Sequence, residues 1–277
     1  MKYKVLFTSL LIGVMLLASC TASKNSPVSF ESPAVEQAVR AALDDMKGDI
    51  SPDMLADLDT VIVVDGQVSL QKGEGTRKEG QGKILSADPN RTTDPSNWNV
   101  MYNLEGRTNG LSDAAEIYWQ DKKLQPTYTD LSGLENLPAL RRVILLVPDA
   151  DTVAQVAALP QVEWLKITLQ ADQILELPDL GNMKQLKILD IEGGSLQDAE
   201  NIAAAKNLTE LNLLNGVQVD DWQFLTKLDN LTHLNLPSGF KDMQLAESLE
   251  GLEFFNICNS SAQEFLDAWR NAAAASE

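Results

Sequence analysis

One short apolar pattern returns six times between Leu140 and Ile257, and it constrains this chain more than any other feature. It reads leucine-type, two variable residues, leucine-type, one variable residue, leucine-type. The copies are Leu140/Val143/Leu145, Val162/Leu165/Ile167, Leu186/Leu189/Ile191, Leu208/Leu211/Leu213, Leu231/Leu234/Leu236 and Leu252/Phe255/Ile257. Their first residues are 22, 24, 22, 23 and 21 positions apart. Such a period fits a unit made of one strand and a return segment. No single unit can bury its own apolar face, so the units must stack into a shared core.

The flanks of the repeat array read differently. Ser32 is a candidate N-cap with Pro33 at the first helical position, and Val35, Val39, Leu43 and Met46 follow at helical spacing until Gly48. Ser51-Pro52 repeats the start signal, and Leu58/Val61/Val63 gives a first repeat-like strand. Residues 32–65 are therefore expected to cap the array, which would otherwise expose its first core layer to water. Residues 66–123 break the period and hold seven of the sixteen glycines, a density that marks loops and turns. Within them Trp98, Val100, Tyr102 and Leu104 alternate with polar residues and Met101, and Ala115, Ile117 and Trp119 alternate after the Asn109-Gly110 turn signal. A small β-rich insertion beside the first repeat is expected. Gly75 and Gly80 mimic phosphate-loop spacing, but Gln81 stands where that loop needs lysine, so no nucleotide chemistry follows. The repeats run over residues 124–260. At the far end, Phe265, Leu266 and Trp269 predict a capping helix in 261–277.

Leu131-Ser-Gly-Leu134-Glu-Asn-Leu137-Pro-Ala-Leu140 resembles the start of a repeat in internalin-like bacterial leucine-rich repeat proteins. Lys206-Asn-Leu-Thr-Glu-Leu-Asn-Leu213 and Asp229-Asn-Leu-Thr-His-Leu-Asn-Leu236 resemble the same family. The resemblance covers residues 131–258 and the helical cap. It implies an α/β fold: a right-handed leucine-rich repeat solenoid with a parallel concave sheet, and protein recognition across that face. The chain departs from the family at the asparagine that usually follows the strand: Asn215 and Asn259 come close, whereas Pro148, Gln170, Gly194 and Gly239 lie there in other copies.

With the pattern residues turned inward, the residues between and after them face outward from the sheet. Arg142, Ile144, Leu146, Trp164, Lys166, Ile188 and Phe254 then form a candidate protein-binding patch, since aromatic residues and arginine dominate binding hot spots. The competing expectation is that the insertion or the cap covers them. The return segments Val153/Val156/Ala157, Leu196/Ala199/Ile202 and Trp222/Leu225 suggest short helices on the opposite side.

Lys and Arg number 22 against 40 Asp and Glu, for a formal charge of −18. That repels nucleic acid and anionic lipid surfaces alike. Lys2 and Lys4 precede an apolar run from Val5 to Leu17, too short for a membrane-spanning helix and suited to a secretory signal over residues 1–19. Leu17-Ala18-Ser19-Cys20 resembles a bacterial lipobox, which implies lipidation of Cys20 and cleavage before it. Multiple acyl chains would then fix the protein stably to the outer face of the plasma membrane, or to an outer membrane if the host has one. Residues 20–31 would be the tether. Only Cys20 and Cys258 are present, so no disulfide framework is possible once Cys20 is modified.

No catalytic constellation or cofactor motif emerges. His233 is the single histidine, which rules out a two-histidine zinc site, and its expected strand offset from Cys258 is about 13 Å, too far for a dyad. Asp190 with Glu192, or Glu192 with Glu210, could pair as carboxylates or hold calcium weakly; in a chain this acidic they read as a solvated edge. The expected function is protein–protein binding by a lipid-anchored envelope protein, not catalysis, with an unidentified protein partner and no nucleic acid. The alternatives are a structural envelope component without a ligand on the concave face, and an enzyme or accessory with its site in 66–123.

Overall fold

The computed structural model describes residues 26–72, 124–237, 239–249, 251–257 and 260–261. Seven strands lie parallel in one sheet: β1 (Leu58–Val64), β3 (Arg142–Leu146), β4 (Trp164–Thr168), β6 (Ile188–Glu192), β8 (Glu210–Leu214), β10 (His233–Leu236) and β11 (Phe254–Ile257). Antiparallel strands close the two ends of the series, β2 (Gln67–Lys72) beside β1 and β12 (Ser260–Ser261) beside β11. Every repeat pairs with the next in the same register, so Val61, Val143, Leu165, Leu189, Leu211, Leu234 and Phe255 form one row. Two residues on, Val63, Leu145, Ile167, Ile191, Leu213, Leu236 and Ile257 form a second. Both rows turn into the core, because side chains two apart share a face and Val61, Val143, Leu165 and Leu189 are fully buried there. Each such aliphatic side chain contributes about 1.5–3 kcal/mol on burial. The constant spacing within each apolar triplet is thus what keeps the strands in step, and the fold is a leucine-rich repeat solenoid.

The return segments supply the opposite wall. Val153, Val156 and Ala157 sit on α2 (Ala150–Ala157), whose N-cap Asp149 accepts a hydrogen bond from the Thr152 N–H at 2.8 Å. The later returns differ from the short α-helices expected. Ala199 and Ile202 lie on a 3-10 turn over Ala199–Ala204, and Leu225 on another over Gln223–Lys227. Three short parallel strands, β5 (Ile174–Glu176), β7 (Ser195–Gln197) and β9 (Gln218–Val219), form a second sheet. Repeat length alone does not decide the form of the return, since the 22-residue unit that begins at Leu140 holds α2. A further short helix, α3, covers Met243–Glu247.

At the N-terminal end, α1 (Pro33–Leu43) starts where the sequence signal placed it. The Ser32 Oγ accepts from the Val35 N–H at 3.4 Å and donates to the Asp130 carbonyl at 2.6 Å, tying the helix to the first repeat. The helix ends earlier than Gly48: Asp44 takes the left-handed conformation at φ 55°, and Met46, expected on the buried face, is 63% exposed. Backbone N–H groups of Gly48 and Lys47 donate to the Asp45 carboxylate and hold it below the usual carboxylate range.

Residues 67–72, expected to open the insertion, belong to the sheet. The Val64–Gln67 pairing leaves Asp65-Gly66 as a two-residue loop, with φ of 50° and 74°, as a type I′ hairpin demands. The expected strands around Trp98–Leu104 and Ala115–Trp119, the signal, the lipobox, Cys258 and the C-terminal helix lie outside the described residues.

Candidate functional site

The face of the sheet turned away from the core carries three rows. The first is Thr60, Arg142, Trp164, Ile188, Glu210, His233 and Phe254. The second is Ile62, Ile144, Lys166, Asp190, Asn212 and Asn235, and the third is Val64, Leu146, Thr168, Glu192 and Leu214. The strand register therefore does bring the expected patch residues to one face.

Their exposure is another matter. Ile144 and Lys166 are fully buried and Trp164 is 5% exposed, against the expectation of an open patch. Arg142 and Ile188 are half-buried, and Phe254 is 45% exposed. Arg142 lies 3.3 Å from the Asp59 carboxylate. The expected solvated acidic edge is corrected likewise, since Asp190 and Glu192 are buried. Alternation along a strand assigns a face, but it cannot tell whether anything lies on that face.

A polar network fills the centre. The Lys166 ammonium donates to Glu192 Oε1 at 2.7 Å, and Asn215 Nδ2 donates to Glu192 Oε2 at 3.2 Å. Trp164 Nε1 donates to Asp190 Oδ2 at 2.5 Å, and Asn212 Nδ2 donates to Asp190 Oδ1 at 2.5 Å. Asn212 Nδ2 also reaches Glu210 Oε1 at 3.0 Å, and Asn235 Nδ2 donates to Asn212 Oδ1. Burial pushes the Asp190 carboxyl up to about 6, against the attraction of Lys166 and the two hydrogen bonds; the Glu210 charge adds to the push. Buried ions on one face of a sheet are costly unless paired, and here every charge has a partner within hydrogen-bond reach. The pairing signal was readable in hindsight: Lys166 sits beside Asp190 in the register, and Glu192 two residues further on the same face.

Toward the C-terminal end the face opens. Glu210, His233 and Asn235 are half-buried, and the His233 ring stacks on Phe254 with centroids 5.9 Å apart. His233 Nδ1 lies 2.9 Å from the Thr232 hydroxyl, which donates to the Thr209 carbonyl at 3.1 Å. His233 pairs with Phe254 in the register, and Cys258 lies outside the described residues. Among the described residues no group of three or more His, Cys, Asp or Glu could hold a metal ion, and no helix is long and apolar enough to cross a membrane.

No family model and no curated protein matches the chain. Among solved structures it is similar to an internalin C2 from Listeria monocytogenes, at 16% identity over 85% of this chain and 98% of that one, with a TM-score of 0.39. An internalin inlF from the same organism is 16% identical over 84% of this chain and 85% of its own, with a TM-score of 0.35. Listeria monocytogenes InlP is 12% identical over 84% and 67%, with a TM-score of 0.31. The repeat architecture rests on the spacing and strand register, not on these scores.

Proposed function

We propose that the chain is a lipid-anchored envelope protein that binds another protein on the outward face of its sheet, at the end formed by β8, β10 and β11. The observation that supports this reading is the exposed Phe254, stacked on His233, with the half-buried Asn235 and Glu210 further along the same face on β10 and β8. An aromatic side chain seated on a parallel sheet is already ordered, so little side-chain entropy is lost when a partner covers it. Aromatic anchors of this kind carry much of the energy in protein interfaces. The patch expected from sequence thus contracts to its C-terminal end, because Ile144, Trp164 and Lys166 are buried.

Anchoring is proposed through Cys20, on its lipobox context alone. Labelling with a clickable fatty acid tests it: label lost in Cys20→Ser supports the anchor, and label retained refutes it. For the binding face, the test is capture from envelope extract followed by reconstitution with the purified partner. Phe254→Ala is expected to lower affinity at least tenfold while the thermal transition stays put. Unchanged affinity would move the site off this face.

A further inference from the structure

We infer that the protein partner presents an arginine side chain to the outward face, laid against Phe254 and held by hydrogen-bond acceptors on β8 and β10. That arginine occupies the binding site proposed above, on which the inference rests.

Three observations carry it. First, the hydrogen-bond roles of the polar groups near Phe254 are fixed, and they leave acceptors. The Thr232 hydroxyl has one hydrogen, which goes to the Thr209 carbonyl at 3.1 Å, because a carbonyl can only accept. His233 Nδ1, 2.9 Å from the same hydroxyl, is then the donor of that pair. In the neutral ring Nε2 therefore carries no hydrogen and is an acceptor, with no partner among the described residues. The amides follow the same logic. Asn212 Nδ2 reaches both the Asp190 and the Glu210 carboxylates, which as ions can only accept. Its Oδ1 is thus the atom that meets Asn235, and it accepts from Asn235 Nδ2. Asn235 keeps its own Oδ1 as a second acceptor, again without a partner among the described residues.

Second, the charge on these strands has one sign. Glu210 is the single acidic residue of β8, β10 and β11, and none of the three carries a lysine or arginine. Thr209, Thr232 and Glu253 immediately precede them, in a chain of formal charge −18. A cation is attracted here, whereas a carboxylate would bring acceptors to acceptors.

Third, the spacing suits a flat, many-armed donor. Glu210, His233 and Phe254 stand opposite one another on neighbouring strands, about 4.8 Å apart, and Asn235 lies about 6.6 Å further along the strand than His233. The exposed Phe254 ring lies 23° from the plane of His233 and gives a flat surface beside them. A guanidinium is planar and permanently charged, carries five N–H donors and stacks on aromatic faces, so it meets the ring and the diverging acceptors together. A lysine ammonium offers three donors from one point and no face to stack.

The test is selection of random heptapeptides displayed on phage against the immobilised full chain, with counter-selection on Phe254→Ala. That variant keeps every charge, so peptides drawn only by the acidity of the chain are removed. The surviving peptides are expected to share an arginine at one position. In the synthetic peptide, citrulline at that position keeps the shape but loses the charge, and should weaken binding about tenfold. Lysine there should also bind more weakly than arginine. Glu210→Gln, with its thermal transition checked against wild type, should narrow the arginine-to-citrulline ratio. Phe254-dependent peptides without a shared arginine, or with one that citrulline or lysine replaces without loss, would overturn the inference and leave the binding face standing. A ratio unchanged in folded Glu210→Gln would overturn it too. A selection that yields no Phe254-dependent peptide would overturn both the arginine and the face.

Discussion

Replacing Asp190 with asparagine should stabilise this fold at neutral pH, although Asp190 receives two hydrogen bonds and sits near a lysine. The reason is burial. The carboxyl titrates at about 6 in the fold and at its ordinary 3.8 when exposed, so the folded state holds the proton more tightly than the unfolded one. Stability therefore falls as pH rises from 3.8 through 6, and the loss is complete above that window. At 1.36 kcal/mol for each tenfold change in proton affinity, the ionised carboxylate costs about 3 kcal/mol at pH 7 and about half that at pH 5. Asparagine approximates the protonated acid in shape and charge. It can still accept from Trp164 Nε1 if the Asn212 and Asn235 amides turn over together, which gives up the Asn212–Glu210 hydrogen bond. Lys166 keeps Glu192 as its counterion. Urea denaturation of wild type and Asp190→Asn across pH 5–8 is the assay. The variant should gain roughly 1–2 kcal/mol at pH 5, rising to a plateau of about 3 above pH 7. A variant less stable than wild type at pH 7, or a difference that does not change with pH, would refute the reasoning.

Lys166→Met should cost about 3–5 kcal/mol in the same assay by stranding the buried Glu192 carboxylate, and Lys166→Met with Glu192→Gln should recover most of it. A double variant no better than the single one would show that the pair is not the relevant unit. Leu189→Ala, in the centre of an inward row, should cost about 2–5 kcal/mol through the cavity it leaves. Gly193→Ala should destabilise well beyond Gly216→Ala. Both have positive φ, which costs about 1–2 kcal/mol for any side chain, but a Cβ on Gly193 would lie 2.4 Å from the Leu169 carbonyl oxygen, whereas Gly216 has open space. Equal thermal shifts for the two would contradict that contact.

The repeat register was legible because leucine spacing acts through burial, and burial does not tolerate a slip: a one-residue shift would turn Leu165 or Leu189 to the other face. Ser32-Pro33 was legible for a similarly local reason, since capping needs only the next three residues. Asp65-Gly66 carried an equally local hairpin signal, but the glycines that follow drew the boundary there and divided β1 from β2. The state of the outward face was not legible in the same way. Ile144 and Phe254 occupy equivalent kinds of position, and only what lies over each strand separates a buried residue from an exposed one. Lys166, Asp190 and Glu192 looked like solvated charges for the same reason; their partners depend on neighbouring strands meeting in register, as in the contacts of Asp190 on β6 with Trp164 on β4 and Asn212 on β8.

Hydroxyl-radical footprinting of the intact chain tests most directly whether the outward face is closed over its first strands and open at its last. Trp164 is intrinsically the more reactive ring, so protection there cannot be mistaken for slow chemistry. The account predicts that Phe254 is modified readily while Trp164 stays at least tenfold below a free tryptophan standard. Modification of Trp164 at the rate of the standard would show a face open along its whole length, and the placement of the binding site at the C-terminal end alone would then be wrong.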